Sequence, residues 1–255
     1  MIYSGQGPIF LGEYNPVTKQ IENQTKVGCG NRSLKITLDR QTEKIKESCS
    51  GSRATLIEYE KEKTMNVSLE LTEFDREMLA TALYGATSLV VGASLADLTA
   101  EILPTMMVGK YFHTRHPFIS ALTIKDSSAA PATLVAGTHY DLEDGGKHGR
   151  ILINNLATFT QPLKAEYTYA SYGNINGLTE SGVVKGLIFD GKSTIDGKTV
   201  RLFIPRISIA PTKEFNWLGD EAAALTLEGA ALYTDSLASD ALYGGFMRVD
   251  TEAIV

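Results

Sequence analysis

Met65-Asn66-Val67-Ser68-Leu69-Glu70-Leu71 alternates apolar and polar side chains without a break. Successive side chains of a strand point to opposite faces, so this stretch reads as a strand with one buried and one solvated side. The same period recurs in both directions along the chain. Leu34, Ile36 and Leu38 alternate with Lys35, Thr37 and Asp39, and Leu225 and Leu227 with Thr226 and Glu228. Ala165, Tyr167 and Tyr169 alternate with Lys164, Glu166 and Thr168, while Val200, Leu202 and Ile204 are set against Arg201 and Phe203. Asp144-Gly145-Gly146, Asp190-Gly191 and Asp196-Gly197 offer the positive-φ positions that tight hairpins need. The expected class is mainly β, built of antiparallel strands with a wet face.

One helix interrupts the pattern. Thr72 is placed to cap it, with Asp75 three residues on, and Phe74, Met78, Leu79, Ala82 and Leu83 follow at helical spacing. Gly85 stands where a C-terminal cap belongs. The uncharged run 78–96 is 19 residues long, but Gly85 breaks it and Asp97 and Glu101 follow. It reads as buried helix, turn and a second apolar segment, not as a membrane span. A weaker helical or loop segment occupies about 93–103. Residues 104–160 read as an insertion, with short strands at 119–124 and 150–153 and an Ala-, Gly- and Ser-rich stretch between them.

The whole chain of 255 residues suits one domain carrying that insertion, and 43% hydrophobic residues against 21% charged is globular composition. There are 24 basic and 30 acidic side chains, a net charge of −6. Phosphate contacts need clustered Lys and Arg, so tight nucleic-acid binding is excluded. Charge is uneven: residues 1–63 hold 10 basic and 8 acidic groups (+2), and residues 214–255 hold 1 and 8 (−7). A positive first quarter and a negative last quarter suit head-to-tail contact between copies, although a solvated acidic face gives the same composition. The opening residues have no basic segment and no apolar core of the secretory kind, so the chain is expected to be soluble where it is made.

Chemistry is hard to find. His113 and His116 are spaced i, i+3, which on a strand sends them to opposite faces, and they read as surface histidines. Gly28-Cys29-Gly30 opens like a dinucleotide loop but leads into a strand, so it has no helix N-terminus for phosphate. Asp141 to Gly146 is acidic without the oxygen spacing of a calcium loop. Cys29 and Cys49 read as small buried hydrophobes in a reducing compartment, though nothing in the spacing forbids a pair. No catalytic residue, cofactor or metal ligand can be named, and the expectation is a structural protein, not an enzyme.

Three stretches, taken in order, carry a resemblance. The first is Gly7-Pro-Ile-Phe-Leu-Gly-Glu-Tyr14. The second is Glu47-Ser48-Cys49-Ser50-Gly51-Ser52-Arg53 with the strand 65–71 and the helix closing in Ala82-Leu83-Tyr84-Gly85. The third runs from Gly186-Leu-Ile-Phe-Asp-Gly191 through Ile204-Pro-Arg-Ile-Ser-Ile-Ala-Pro211 to Leu218-Gly219-Asp220-Glu221 and Leu225-Thr-Leu-Glu-Gly229. Together they resemble the tail tube (major tail) proteins of long-tailed, siphovirus-like bacteriophages, least so over 86–160. The resemblance implies a β-sandwich or partly closed barrel with one flanking helix. It also implies stacked hexameric rings that form the virion's genome conduit, assembled in the host bacterial cytoplasm around a tape-measure protein. Tail terminator and distal tail proteins would be further partners, DNA a transient and non-specific one. A tube of a contractile tail or secretion system, or another virion β-sandwich, is the alternative. On this reading the polar loop from about Gln41 to Lys63 reaches the adjacent ring through Glu47, Ser48, Ser50, Gly51 and Arg53. Lys35, Thr37, Asn66, Ser68, Glu70, Thr226 and Glu228 are the candidates to line the lumen, and Leu69, Leu71, Leu79 and Leu83 to form the core.

Overall fold

A computed structural model describes residues 4–49, 51–156, 158–240 and 242–252. The chain begins with β1 (Gly5–Gln6), β2 (Ile9–Asn15) and β3 (Gln20–Val27), then β4 (Asn31–Lys46) and β5 (Thr55–Leu71). Helix α1 (Arg76–Ala82) and β6 (Ala86–Val90) follow. Short strands come next: β7 (Ala93–Leu95), β8 (Glu101–Ile102), β9 (Tyr111–His113), β10 (Ile119–Lys125), β11 (Tyr140–Leu142), β12 (Arg150–Ile153) and β13 (Lys164–Tyr169). The chain ends with β14 (Tyr172–Asn176), β15 (Val184–Ser193), β16 (Thr199–Ala210), β17 (Leu225–Ala231), helix α2 (Asp235–Ala238) and β18 (Arg248–Thr251).

The protein is mainly β, and its principal sheet is curled into a half-barrel. The strand path is β3-β2-β15-β16-β17-β5-β4, with β1 on β15 and β18 on β16. The curl follows from connectivity. β3 and β4 are the two ends of a seven-strand path, yet only residues 28–30 join them. Laid flat, those ends would be about 29 Å apart, while the linker spans at most about 14 Å. The sheet therefore has to bend until its ends approach. Glu73 holds the short link in place: its carboxylate accepts the backbone N–H of Cys29 at 2.9 Å and of Gly30 at 3.2 Å.

Side chains from both ends of the path meet in one core. Ile9, Leu11 and Val27 cluster with Met65, Val67, Leu69 and Leu71, and α1 adds Met78 and Ala82. The cap of α1 is Asp75, whose side chain accepts the Met78 N–H at 2.8 Å, and not the expected Thr72. Thr72 instead donates its hydroxyl to the Gly30 carbonyl, across to the other strand end. At the far end Tyr84 takes the left-handed conformation (φ 49°) expected of Gly85. Leu79 packs half-buried against the core, but Leu83 is the C-terminal cap and only half-buried, so the expectation of a core leucine there is corrected.

Over part of its width the sheet is covered on both faces. Ile21, Ile188 and Phe203 bury themselves with Leu237 of α2, so Leu202, Phe203 and Ile204 are all buried and the expected alternation over 200–204 fails. Asp190-Gly191 lies inside β15 instead of at a turn, with Gly7 packed so closely that a Cβ there would sit 1.9 Å from the Asp190 carbonyl oxygen. Asp196-Gly197 does make the expected turn, with Gly197 at φ 72°.

The chain forms two compact units, residues 1–87 with 175–255 and residues 88–174. It leaves the first unit along β6 and returns along β14, which pair with each other. The second unit has its own core of Leu103, Ile124, Leu134, Ile151, Ile153, Leu163 and Tyr167. Its sheets are β10-β13-β7, with β8 also on β13, and β11-β12-β9. The stretch read as an insertion, 104–160, lies inside this unit. Residues 93–103 are not helical but hold β7, a single 3-10 turn and β8.

Candidate assembly surface

β4 and β5 pair along their whole length, from Asn31 opposite Leu71 to Lys46 opposite Thr55. β17, however, joins β5 only from Asn66 to Leu71. Beyond Leu38 and Met65 the two strands continue alone as a ribbon of about 30 Å. The stretch expected to be a polar loop from Gln41 to Lys63 is thus mostly strand, and only residues 47–54 form the tip. Its β-forming residues, Thr42 and Ile45 on one strand and Leu56, Ile57 and Tyr59 on the other, were the signal for this.

The arm is clothed in opposite charges. Lys44 and Glu58, directly paired across the strands, approach to 3.5 Å, Lys61 and Glu43 to 3.7 Å, and Lys63 and Glu60 to 3.0 Å. The Glu58 carboxyl is held below its ordinary range, first by a hydrogen bond from Thr42 and then by Lys44. Bonding to Glu43 raises the Tyr59 hydroxyl. These pairs are exposed and each contributes little to stability. On one face Ile45 stands opposite Ile57 and Tyr59, two residues along, stands opposite Glu43; Ile45, Ile57 and Tyr59 are 47%, 53% and 44% exposed.

At the tip, Glu47 organises the turn. Its carboxylate accepts the Cys49 N–H at 3.1 Å and the Ser52 hydroxyl at 2.9 Å, and its own N–H donates to the Ala54 carbonyl at 2.9 Å. Gly51 (φ 75°) and Arg53 (φ 50°) take the left-handed positions. Ser48, Gly51 and Arg53 are exposed, Glu47 is half-buried, and Ser50 lies outside the described residues. Cys49 at this tip and Cys29 beside the β3–β4 link are both exposed and unpaired, so neither is the buried hydrophobe expected.

The seven candidate lumen residues fall on one face of three adjacent strands, opposite the core. Lys35 of β4 stands beside Ser68 of β5, which stands beside Glu228 of β17. Thr37 pairs with Asn66, and Glu70 with Thr226. Lys213 reaches over to Glu228 at 2.8 Å. The face carries charge of both signs and hydroxyl and amide groups, with no convergent set of acid, base and nucleophile.

His116 is engaged in the second unit. The His116 ring stacks on Tyr169 at 3.9 Å and its Nδ1 bonds the Tyr172 hydroxyl at 3.0 Å. Among the described residues no group of three or more His, Cys, Asp or Glu is arranged to hold a metal ion, and no helix is long and apolar enough to cross a membrane.

The class defined by this geometry is a curled-sheet β protein bearing an extended two-stranded arm. Residues 2–250 match the model of the family described as protein of unknown function UCP028589, and the chain belongs to that family. No curated protein matches the chain.

Proposed function

We propose that this protein is the tube-forming subunit of a long-tailed bacteriophage, stacking as hexameric rings into the conduit for the genome. The observation that carries the reading is the arm. A lone two-stranded ribbon is marginal in water, and here, among the described residues, both its edges are unpaired and Ile45, Ile57 and Tyr59 stand exposed on one face. Such an element is accounted for when another copy covers it. The free outer edges of β3 and β4 fit the same account, because sheets that join around an axis satisfy each other's ladders. One heterologous contact that closes by rotation gives a ring, and a second that does not close gives a filament.

The face of Lys35, Ser68, Glu70 and Glu228 is the proposed lumen wall. Its mixed charge, in a protein of net charge −6, lets DNA pass without the counter-ion release that holds it to a basic surface. The order of the sequence stretches shared with tail tube proteins supports the same reading. The tape-measure protein and the proteins of the two tail ends are the proposed partners, and the virion tail the proposed location.

The test is negative-stain microscopy of the purified protein beside a variant in which residues 42–61 are replaced by Asn-Gly, a two-residue turn. Rings or tubes from the wild type and none from a folded variant are expected. Long tubes from the variant remove the arm from the assembly. If the wild type makes no rings or tubes and is absent from purified virions, the tube reading is wrong.

A further inference from the structure

We propose that a small cavity on the sheet face covered by α2 binds a phosphoryl group, a site that does not depend on the assembly reading above. The cavity measures about 170 Å³, and its wall includes Lys19, Arg201, Arg248 and Asp250. Ile188 and Phe203, buried against Leu237 of α2, supply its apolar part. Three cationic side chains from a turn and two strands thus meet at one cavity, in a protein of net charge −6.

Strand register brings them together. Arg201 and Phe203 are two residues apart on β16 and so share a face. β18 pairs so that Asp250 stands opposite Arg201 and Arg248 opposite Phe203, while Ile188 of β15 stands opposite Phe203 on the other side. The Tyr243 ring is tilted against Phe203, centroids 5.6 Å apart, and the Arg248 guanidinium lies over it at 5.2 Å. Lys19 comes from the turn before β3 and takes the left-handed conformation, φ 56°. That conformation suits Gly or Asn and strains a longer side chain, and such strain gathers at ligand clamps.

Carboxylates orient these cations without exhausting their donors. Lys19 gives Asp240 one N–H, at 2.7 Å, and Arg248 gives Asp250 its Nε–H, at 2.6 Å. The Arg201 Nε lies 3.7 Å from Asp190, beyond hydrogen-bond reach. A lysine has three donors and an arginine five, so among the described residues most of these donors stay uncommitted. Asp190 and Asp240 lie outside the cavity wall, which presents three positive charges and one negative. An arginine fork matches two phosphate oxygens at once, and the apolar part of the cavity strengthens that attraction by lowering the local dielectric. Pockets for larger organic ligands begin at about 300 Å³, so this one takes phosphate or the phosphate end of an ester.

The test is calorimetric titration of inorganic phosphate into the full chain, against sodium chloride of equal ionic strength. Saturable binding with a Kd of about 1 mM or tighter is expected. Lys19→Asn and Arg201→Gln should each weaken it at least tenfold. Asn suits the left-handed turn, so Lys19→Asn should keep the wild-type unfolding midpoint and carries the test even if Arg201→Gln fails to fold. No saturable heat from the wild type, or undiminished binding by folded Lys19→Asn, overturns the site and leaves only a set of internal ion pairs. Competition with glycerol 3-phosphate and with a short poly-dT strand separates the sources of the group. Displacement by glycerol 3-phosphate assigns the site to small phosphate esters, displacement by the strand to a phosphodiester backbone, and displacement by neither to inorganic phosphate; each of these upholds the site.

Discussion

The root and the arm of the β4–β5 ribbon are made of the same kinds of residue and live in opposite environments. At the root Val67 pairs with Ile36 and is 4% exposed, while on the arm Ile57 pairs with Ile45 and is 53% exposed. Both pairs are β-branched, and both would score alike on any propensity scale. The difference is in the neighbours. At the root β17 continues the sheet and α1 lies over its apolar face, whereas past Met65, among the described residues, no third strand pairs with the ribbon and its side chains are mostly exposed. Alternating β-branched residues make a ribbon; a layer packed against it makes a core.

This contrast breaks first where the cost of truncation is greatest. Leu71 has no exposed surface at the root, so Leu71→Ala should cost about 2–5 kcal/mol in urea denaturation. A loss no larger than that of an arm residue would mean that the root is not the core.

A polar anchor in the second unit sharpens the contrast between kinds of burial. Asp126 is 3% exposed. Its carboxylate accepts the N–H of Ala132 at 2.7 Å, the hydroxyl of Ser128 at 2.8 Å and the N–H of Thr160 at 3.2 Å. The bond from Ala132 is the main cause that holds this carboxyl below its ordinary range; burial opposes it, and Ser128 and Thr160 add to the lowering. Its folded-state value therefore lies below the unfolded one. The stabilisation is complete above the unfolded value of about 4 and is lost as pH falls through the folded one. Asp126→Ala should unfold at a lower temperature than wild type at pH 7, and the two midpoints should converge in acid. A gap that is constant with pH would show that the charge has no part in it.

Smaller effects follow. Asp75→Ala removes the cap of α1 and should cost about 1 kcal/mol; no change would show that packing of Met78 and Ala82 alone holds the helix. Ile57→Ala on the arm should alter the stability of the free subunit by about 0.5 kcal/mol or less. A cost near that of Leu71→Ala would make the arm part of the core and cancel the comparison.

Much of the root was legible because alternation directly reports which side chains share a face. Lys35, Ser68 and Glu228 were assigned to one polar side, and they stand in a row across three strands. Other features depended on partners that no local window contains. Asp190-Gly191 has the chemistry of a turn but runs as strand because Arg201 and Val200 of β16 pair with it on one side and the Asp190 N–H donates to the Pro8 carbonyl at 3.1 Å on the other. Phe203 looked solvated until Leu237, 34 residues later, covered it. Thr72 and Asp75 are both good caps, and the choice went to Asp75 because Gly30 takes the Thr72 hydroxyl. The arm was hidden by its charges, which read as loop although its β-branched and aromatic residues read as strand.

By itself the sequence determined the class of this protein: strands with a wet and a dry face, and a helix after residue 72. Those properties are set within a few residues, by side-chain period. The tertiary structure decided where each strand stops being covered. It decided that β3 and β4 end a single curled sheet, that β4 and β5 are core at one end and exposed arm at the other, and that Trp217 stands mostly exposed beside Phe215. Burial is a property of what lies across from a residue, and what lies across comes from distant parts of the chain.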